Sequence, residues 1–216
     1  MVGLIPDPLR AARLILQLRR QGITDDAVLS ALETVDRGAF VDRDYASLAN
    51  DDCSVPIACG QIIPRPLVTA QLLSAVKLSP AKEERVLLIG SGSGYTMALL
   101  SHSARHVHGV ERYKSLAESS QDRLKALGID NVTVRHEDGL KGLPEHGPFD
   151  RILLTCSVTT LPQRLIEQVA PNGYLVAPIN QSDRQILRRL THDLKVIDMV
   201  ISTPVSPLRD GVALKF

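Results

Sequence analysis

A short apolar run, Val86-Leu-Leu-Ile89, opens directly into Gly90-Ser-Gly-Ser-Gly-Tyr95, which places three glycines at alternate positions. The apolar run reads as a strand. The glycines take positive φ or let a ligand approach bare backbone, and a helix beginning near Tyr95 aims its free N–H groups and positive end over the loop. A strand, a lean loop and a helix in succession make the repeating unit of an open α/β sheet. A dinucleotide turn has the spacing G-x-G-x-x-G, with its third glycine where the helix packs on the strand. Tyr95 stands at that position here, so the spacing opposes a dehydrogenase.

The following residues extend the same unit. His106–Val110 reads as a second strand with Glu111 at its carboxyl end. That is about 20 residues beyond the loop, where a carboxylate accepts hydrogen bonds from two ribose hydroxyls. A helix over Lys114–Leu127, closed by Gly128, leads to a third strand, Asn131–Arg135. Asp138 and Gly139 follow it, the acid placed to meet an adenine edge and the glycine to turn the chain beneath the base. Phe149–Thr155 gives a fourth strand whose continuous apolar run suits the middle of a sheet covered on both faces. The G-x-G-x-G spacing is common among enzymes that use S-adenosylmethionine. Gly90, Ser91, Gly92, Gly94, Glu111, Asp138 and Gly139 are therefore the expected cofactor-binding residues.

The first 80 residues are built differently. Leu9–Arg20 has Leu14, Ile15 and Leu18 at helical spacing, and Thr24-Asp25-Asp26 caps a second helix running to Thr34. From Arg37 to Pro66 the periodicity fades among Pro56, Gly60, Pro64 and Pro66, which predicts an ordered loop, and Leu67–Leu78 is helical again. With 216 residues and 44% hydrophobic content the chain is expected to form one domain, residues 1–80 in front of a core at 81–216. A net charge of +1, no tryptophan and no basic stripe give no footprint for nucleic acid. Neither a signal peptide nor a membrane span is expected. Three cysteines, Cys53, Cys59 and Cys156, form no metal-binding or redox pair and suggest free thiols in a reducing cytoplasm. His106 and His108 share one face of a strand, but no third ligand stands at a compatible spacing, so no metal is expected and both read as surface histidines.

Seven segments taken in order carry a resemblance: Arg37-Gly-Ala-Phe-Val41, Val55–Pro66, Val86–Tyr95, Asn131-Val132, Glu137-Asp-Gly139, Pro148-Phe-Asp150 and Pro171-Asn-Gly-Tyr-Leu-Val176. Together they resemble the protein-L-isoaspartate (D-aspartate) O-methyltransferase family across nearly the whole chain, the Pro-Ile-x-x-Gly-Gln segment being the most specific of them. The resemblance implies a Rossmann-like class I methyltransferase fold, a doubly wound and mostly parallel sheet with an N-terminal helical addition. It also implies binding of S-adenosylmethionine and methylation of the isoaspartyl carboxylate in damaged proteins. Gln61, Ile62, Ile63, Pro64 and Arg65 would then form the substrate loop within residues 1–80. No catalytic side chain is expected, because a sulfonium methyl is already activated and a carboxylate is already a nucleophile.

Two positions depart from the family pattern. After Gly-Gln the family reads Thr-Ile-Ser-x-Pro, and this chain has Ile62, Ile63, Pro64 and Arg65 before Pro66, which removes two hydroxyls and one backbone N–H. Two residues before the first glycine the family has an acid, and this chain has Leu88, the expected loss of an acceptor for the charged end of the cofactor. Arg65 could pair with a substrate carboxylate or be an ordinary loop arginine, and Gln61 could contact substrate or hold loop backbone. The readings left by the sequence are an isoaspartyl methyltransferase and a diverged relative with another acceptor or no catalysis.

Overall fold

The computed structural model describes residues 8–182, 184–193, 195–199 and 205–214. Helices α1 (Pro8–Arg20) and α2 (Asp26–Thr34) come first, and the side chain of Asp25 accepts from the backbone N–H groups of Ala27 and Val28 to cap α2. The segment that reads as irregular carries more order than its composition suggests. It contains 3-10 turns at Arg37–Phe40 and Arg43–Leu48 and then a hairpin of β1 (Val55–Ile57) and β2 (Gln61–Ile63). Two three-residue strands are too short to show an alternation, which is why the hairpin escapes a reading by periodicity. Helix α3 (Pro66–Val76) starts with proline at its first turn, where a missing N–H costs nothing.

Next come β3 (Arg85–Ile89), α4 (Tyr95–Ser101), β4 (His106–Glu111), α5 (Lys114–Ala126), β5 (Val132–His136), β6 (Phe149–Leu154), α6 (Gln163–Ile166), β7 (Val169–Gln181), β8 (Arg184–Thr191) and β9 (Val196–Met199). One seven-stranded sheet has the order β5-β4-β3-β6-β7-β8-β9. The pairs from β5 through β7 are parallel, and β8 and β9 add as antiparallel strands at one edge. The chain therefore runs outward from β3 to β5 and returns to the other side of β3 with β6. That reversal opens a crevice at the carboxyl ends of the central strands.

Alternation along the strands divides the core in two. Val86, Leu88, Val107, Leu153 and Val176 pack toward α2, α3 and α4, while Leu87, Ile89, Val110, Ile152 and Leu154 pack on the other face with Leu143 and Leu165. The front helices are tied to the sheet at the end of α3. The carbonyl of Ala75 accepts from Arg189 Nη2 at 2.8 Å, that of Val76 from Arg151 Nε at 3.2 Å, and Val76 also receives the hydroxyl of Tyr174. The guanidinium carbons of Arg151 and Arg189 lie 4.2 and 4.7 Å from the centre of the Tyr174 ring.

His106 and His108 are half-buried rather than surface histidines. Their ring centroids are 4.5 Å apart, and His108 stacks on His146 at 5.4 Å and meets the edge of Phe149 at 5.5 Å. The parallel sheet is covered on both faces, so even strand positions that look polar are partly enclosed. Burial, with the charges of His106, Arg85, His146 and Arg135, holds His108 down to about 4. The unfolded chain takes up this proton near pH 6.5 and the folded chain does not, so stability is full above about 6.5 and falls as pH drops toward 4. Discounted for partial exposure, about 1–2 kcal/mol should be lost across that window. Urea unfolding at pH 7 and pH 4.5 measures it. His108→Phe should flatten the slope, and an undiminished slope would assign it elsewhere.

Candidate active site

A cavity of about 490 Å³ lies in the crevice above β3 and β4. This is the size of an ordinary small-ligand site. Its lining is made by the glycine loop with Glu111, by the β1–β2 hairpin and the residues that follow it, and by Val205 to Arg209.

The glycine loop is fixed from both sides. At Gly90, with φ of 84°, a Cβ would come within 2.5 Å of Thr155 Oγ1, so glycine is required by both conformation and space. The Thr155 hydroxyl donates to the carbonyl of Gly90 at 2.7 Å. On the other side Glu111 Oε2 accepts from the N–H of Gly92 at 2.9 Å, and its Oε1 accepts from the N–H of Tyr113 at 3.1 Å. Glu111 is 5% exposed. Burial pushes its carboxyl up, while the N–H groups of Tyr113 and Gly92 and the Arg112 charge oppose that rise. Each carboxylate oxygen keeps a free lone pair for a ligand hydroxyl.

Ser91 lines the cavity, and its Oγ is buried without a hydrogen-bond partner among the described residues. Gly139 lines it too, and a side chain there would press against Ile89 Cγ2 at 2.7 Å. Two expected residues stand outside the lining. Gly94 is the residue before α4 and packs near Leu124, and Asp138 is buried with Oδ1 accepting from the N–H of Leu140 at 3.0 Å. Leu88 is fully buried in the helix-facing core and does not line the cavity either. Alternation explains this: Ile89 faces the ligand crevice, so its neighbour faces away.

The hairpin turns at Cys59 and Gly60, which have φ of 59° and 62°. Gln61 lines the cavity while its amide donates to the carbonyl of Cys59 at 3.0 Å, so it holds the turn. Ile62 is 42% exposed, Ile63 is buried, and Pro64 presents its ring and no donor. Arg65 already has a carboxylate. Its Nε donates to Asp52 Oδ1 at 3.2 Å, and Nη2 donates to Oδ2 of the same residue. Asp52 also accepts from the N–H of Leu67 at 3.1 Å. Burial pushes the Asp52 carboxyl up, but the bonds from Arg65 and Leu67 outweigh it and the net direction is down.

Beneath the hairpin lies Arg37, 3% exposed. Its guanidinium donates to five carbonyls: Ala49 and Asp51 at 3.3 Å each, Cys53 at 2.8 Å, Ile63 at 3.4 Å and Pro64 at 3.0 Å. Burial pulls its pKa down, while the charges of Tyr95, Cys53, Asp52 and Asp51 pull it up. Sequence reasoning missed this role, and it also missed Asp52, Thr155, Arg112 and the wall at Val205 to Arg209. Thr155 had a signal, since it ends a strand beside the glycine loop. The last wall had none, because no local pattern says that a distant segment returns to the crevice.

The protein-family model described as "Protein-L-isoaspartate(D-aspartate) O-methyltransferase (PCMT)" matches residues 9–207. The chain belongs to this family. Protein-L-isoaspartate O-methyltransferase of Maricaulis maris is 43% identical over 185 residues, covering 86% of this chain and 85% of the relative. The enzyme of the same name from Azorhizobium caulinodans is 43% identical over 206 residues, covering 94% of each. A crystal structure of the family from Plasmodium falciparum, in complex with S-adenosyl-L-homocysteine, has a TM-score of 0.77 at 29% identity and covers 91% of this chain and 97% of that one. The family match agrees with the sheet reversal, the glycine loop and the acid after the second parallel strand.

Proposed function

We propose that this protein is an S-adenosylmethionine-dependent carboxyl methyltransferase acting on isoaspartyl residues of damaged proteins. The observation that carries the reading is the tether from Glu111 to Gly92, which presents a buried carboxylate and a bare backbone loop to one cavity in a chain of this family. The residues present suit the cofactor. Glu111 would receive the ribose hydroxyls, Gly90, Ser91 and Gly92 the aminoacyl end, and Gly139 would leave room for the base. Gly94 supports the loop through α4, and Asp138 shapes the turn that carries Gly139.

When bound, S-adenosylmethionine supplies a sulfonium-activated methyl group for transfer to a carboxylate oxygen. No proton moves, so the chain provides no base and its residues act by orienting and excluding water. Ile62, Ile63 and Pro64 form an apolar wall, and Gln61 and the Arg65–Asp52 pair hold it in place. Cys156 also lines the cavity, where a thiolate would compete for the methyl group. Burial and the nearby Glu111 charge push its thiol up to about 12, so it stays protonated. The three cysteines are free, which suits a reducing compartment such as the cytoplasm. No helix among the described residues is long and apolar enough to cross a membrane.

Labelled S-adenosylmethionine offered with an isoaspartyl peptide and its aspartyl twin tests the reading. Label should enter the isoaspartyl peptide as a base-labile ester and leave the twin unmarked. Transfer only to other components of a cell extract would replace the acceptor, and transfer to none would remove the activity.

A further inference from the structure

Four charged side chains line the cavity: Arg65, Glu111, Arg112 and Arg209. Two are already engaged by hydrogen bonds: Arg65 is paired with Asp52, and Glu111 holds two backbone N–H groups. Arg112 is half-buried over the ring of Tyr113 at 5.2 Å with the Glu111 charge beside it, and its Nε has no hydrogen-bond partner among the described residues. Arg209 is exposed, and it makes no ion pair or side-chain hydrogen bond with another described residue.

Its backbone is nevertheless held. The N–H of Ser157 donates to the carbonyl of Ser206 at 2.9 Å, and that of Leu208 donates to Ser157 at 2.8 Å. Farther along, the N–H of Ala213 donates to the carbonyl of Arg112 at 2.7 Å, and the carbonyl of Ala213 accepts from Lys114 at 2.9 Å. Arg209 therefore sits between two anchors, one at the end of β6 and one at the end of β4. A side chain with no bond to break projects from a segment that has little freedom left to lose.

The side chains of the hairpin offer an anion little: Ile62 and Ile63 are apolar, Pro64 lacks an N–H, and the amide of Gln61 gives one of its two N–H groups to Cys59. We propose that Arg209 is the residue that recognises the carboxylate of the acceptor, and that it makes the site selective for the anionic substrate over the neutral ester. The inference rests on the carboxylate acceptor of the proposed function. The O–CH3 bond forms as the S–CH3 bond breaks, the carboxylate and the sulfonium both lose their charge, and no proton is transferred. Arg209 thus pairs with the substrate and loses that partner in the product, which favours release. An ion pair stronger in the ground state than in the transition state lowers KM without raising kcat.

The test compares an isoaspartyl peptide with the same peptide carrying that carboxyl as a primary amide, on the wild type, Arg209→Gln and Arg209→Lys. Arg209→Gln should raise KM about ten- to a hundredfold, the range of a charge-assisted bond, with kcat unchanged or slightly higher. Arg209→Lys should recover part of the loss, and affinity for S-adenosylhomocysteine should stay at the wild-type value. Calorimetry of the protein with S-adenosylhomocysteine bound supplies a second readout that needs no turnover. The wild type should prefer the carboxylate peptide over the amide, and Arg209→Gln should bind the two alike. A KM within twofold of wild type, or a carboxylate preference that survives Arg209→Gln, would overturn the role of Arg209. Absence of methyl transfer in a wild type that still shows an Arg209-dependent carboxylate preference would instead refute the enzymatic reading and leave the recognition role standing.

Discussion

Arg37→Met should destabilise the protein by about 3–5 kcal/mol, the range for stripping one side of a buried charged network. The guanidinium is the shared donor for the carbonyls of Ala49, Asp51, Cys53, Ile63 and Pro64, and methionine fills part of its volume without replacing any bond. Each buried carbonyl left without a donor costs about 1–3 kcal/mol, reduced where the hairpin relaxes toward water. For a chain of this size the thermal midpoint should fall by roughly 6–20 °C. Arg37→Lys should recover only a minor part, since an ammonium has three donors at one point and cannot span carbonyls that a planar fork reaches. Calorimetric unfolding of the three proteins measures both effects. A loss below about 1 kcal/mol for methionine would mean that the hairpin carries its own weight.

Glu111→Ala should weaken S-adenosylhomocysteine binding about 10²- to 10³-fold, because two functions end together. The ribose acceptors go, and the N–H groups of Gly92 and Tyr113 lose the carboxylate that sets the loop. Glu111→Gln separates the two. Its amide oxygen keeps one of those bonds while its NH2 faces the other N–H, so a loss of roughly tenfold should remain, with less disturbance of the loop. Calorimetric titration gives the affinities, and circular dichroism with thermal unfolding confirms that the fold is retained. Affinity within threefold of wild type in the alanine variant would take Glu111 out of the ligand site.

The parallel half of the sheet and its loop chemistry were legible because each depends on residues close in sequence. Apolar runs ending in Gly90 and Glu111, the Asp25 cap and the turn at Gly128 all carry their physics locally. The hairpin at Val55–Ile63 was not legible, since it is held by an arginine upstream of it and its strands are too short to show a period. Arg65 illustrates a different limit. A sequence shows a cation near a site, but only the fold shows that Asp52 has already claimed it. Leu88 shows a third. Its neighbour Ile89 lines the cavity, and the pleat alone turns Leu88 into the opposite layer.

The clasp at the end of α3 bears on how the molecule is made. The carbonyls of Ala75 and Val76 are delivered early in synthesis, whereas their donors arrive with Arg151, Tyr174 and Arg189. A chain leaving the ribosome from its N-terminus therefore carries an unclosed α3 until nearly nine-tenths of its length has been translated. The hairpin that walls the cavity leads directly into this helix, so its final seating waits for β8. The site is completed later still, when Val205 to Arg209 reach the crevice, and a chain truncated before β8 would hold the glycine loop without a settled wall for an acceptor to meet.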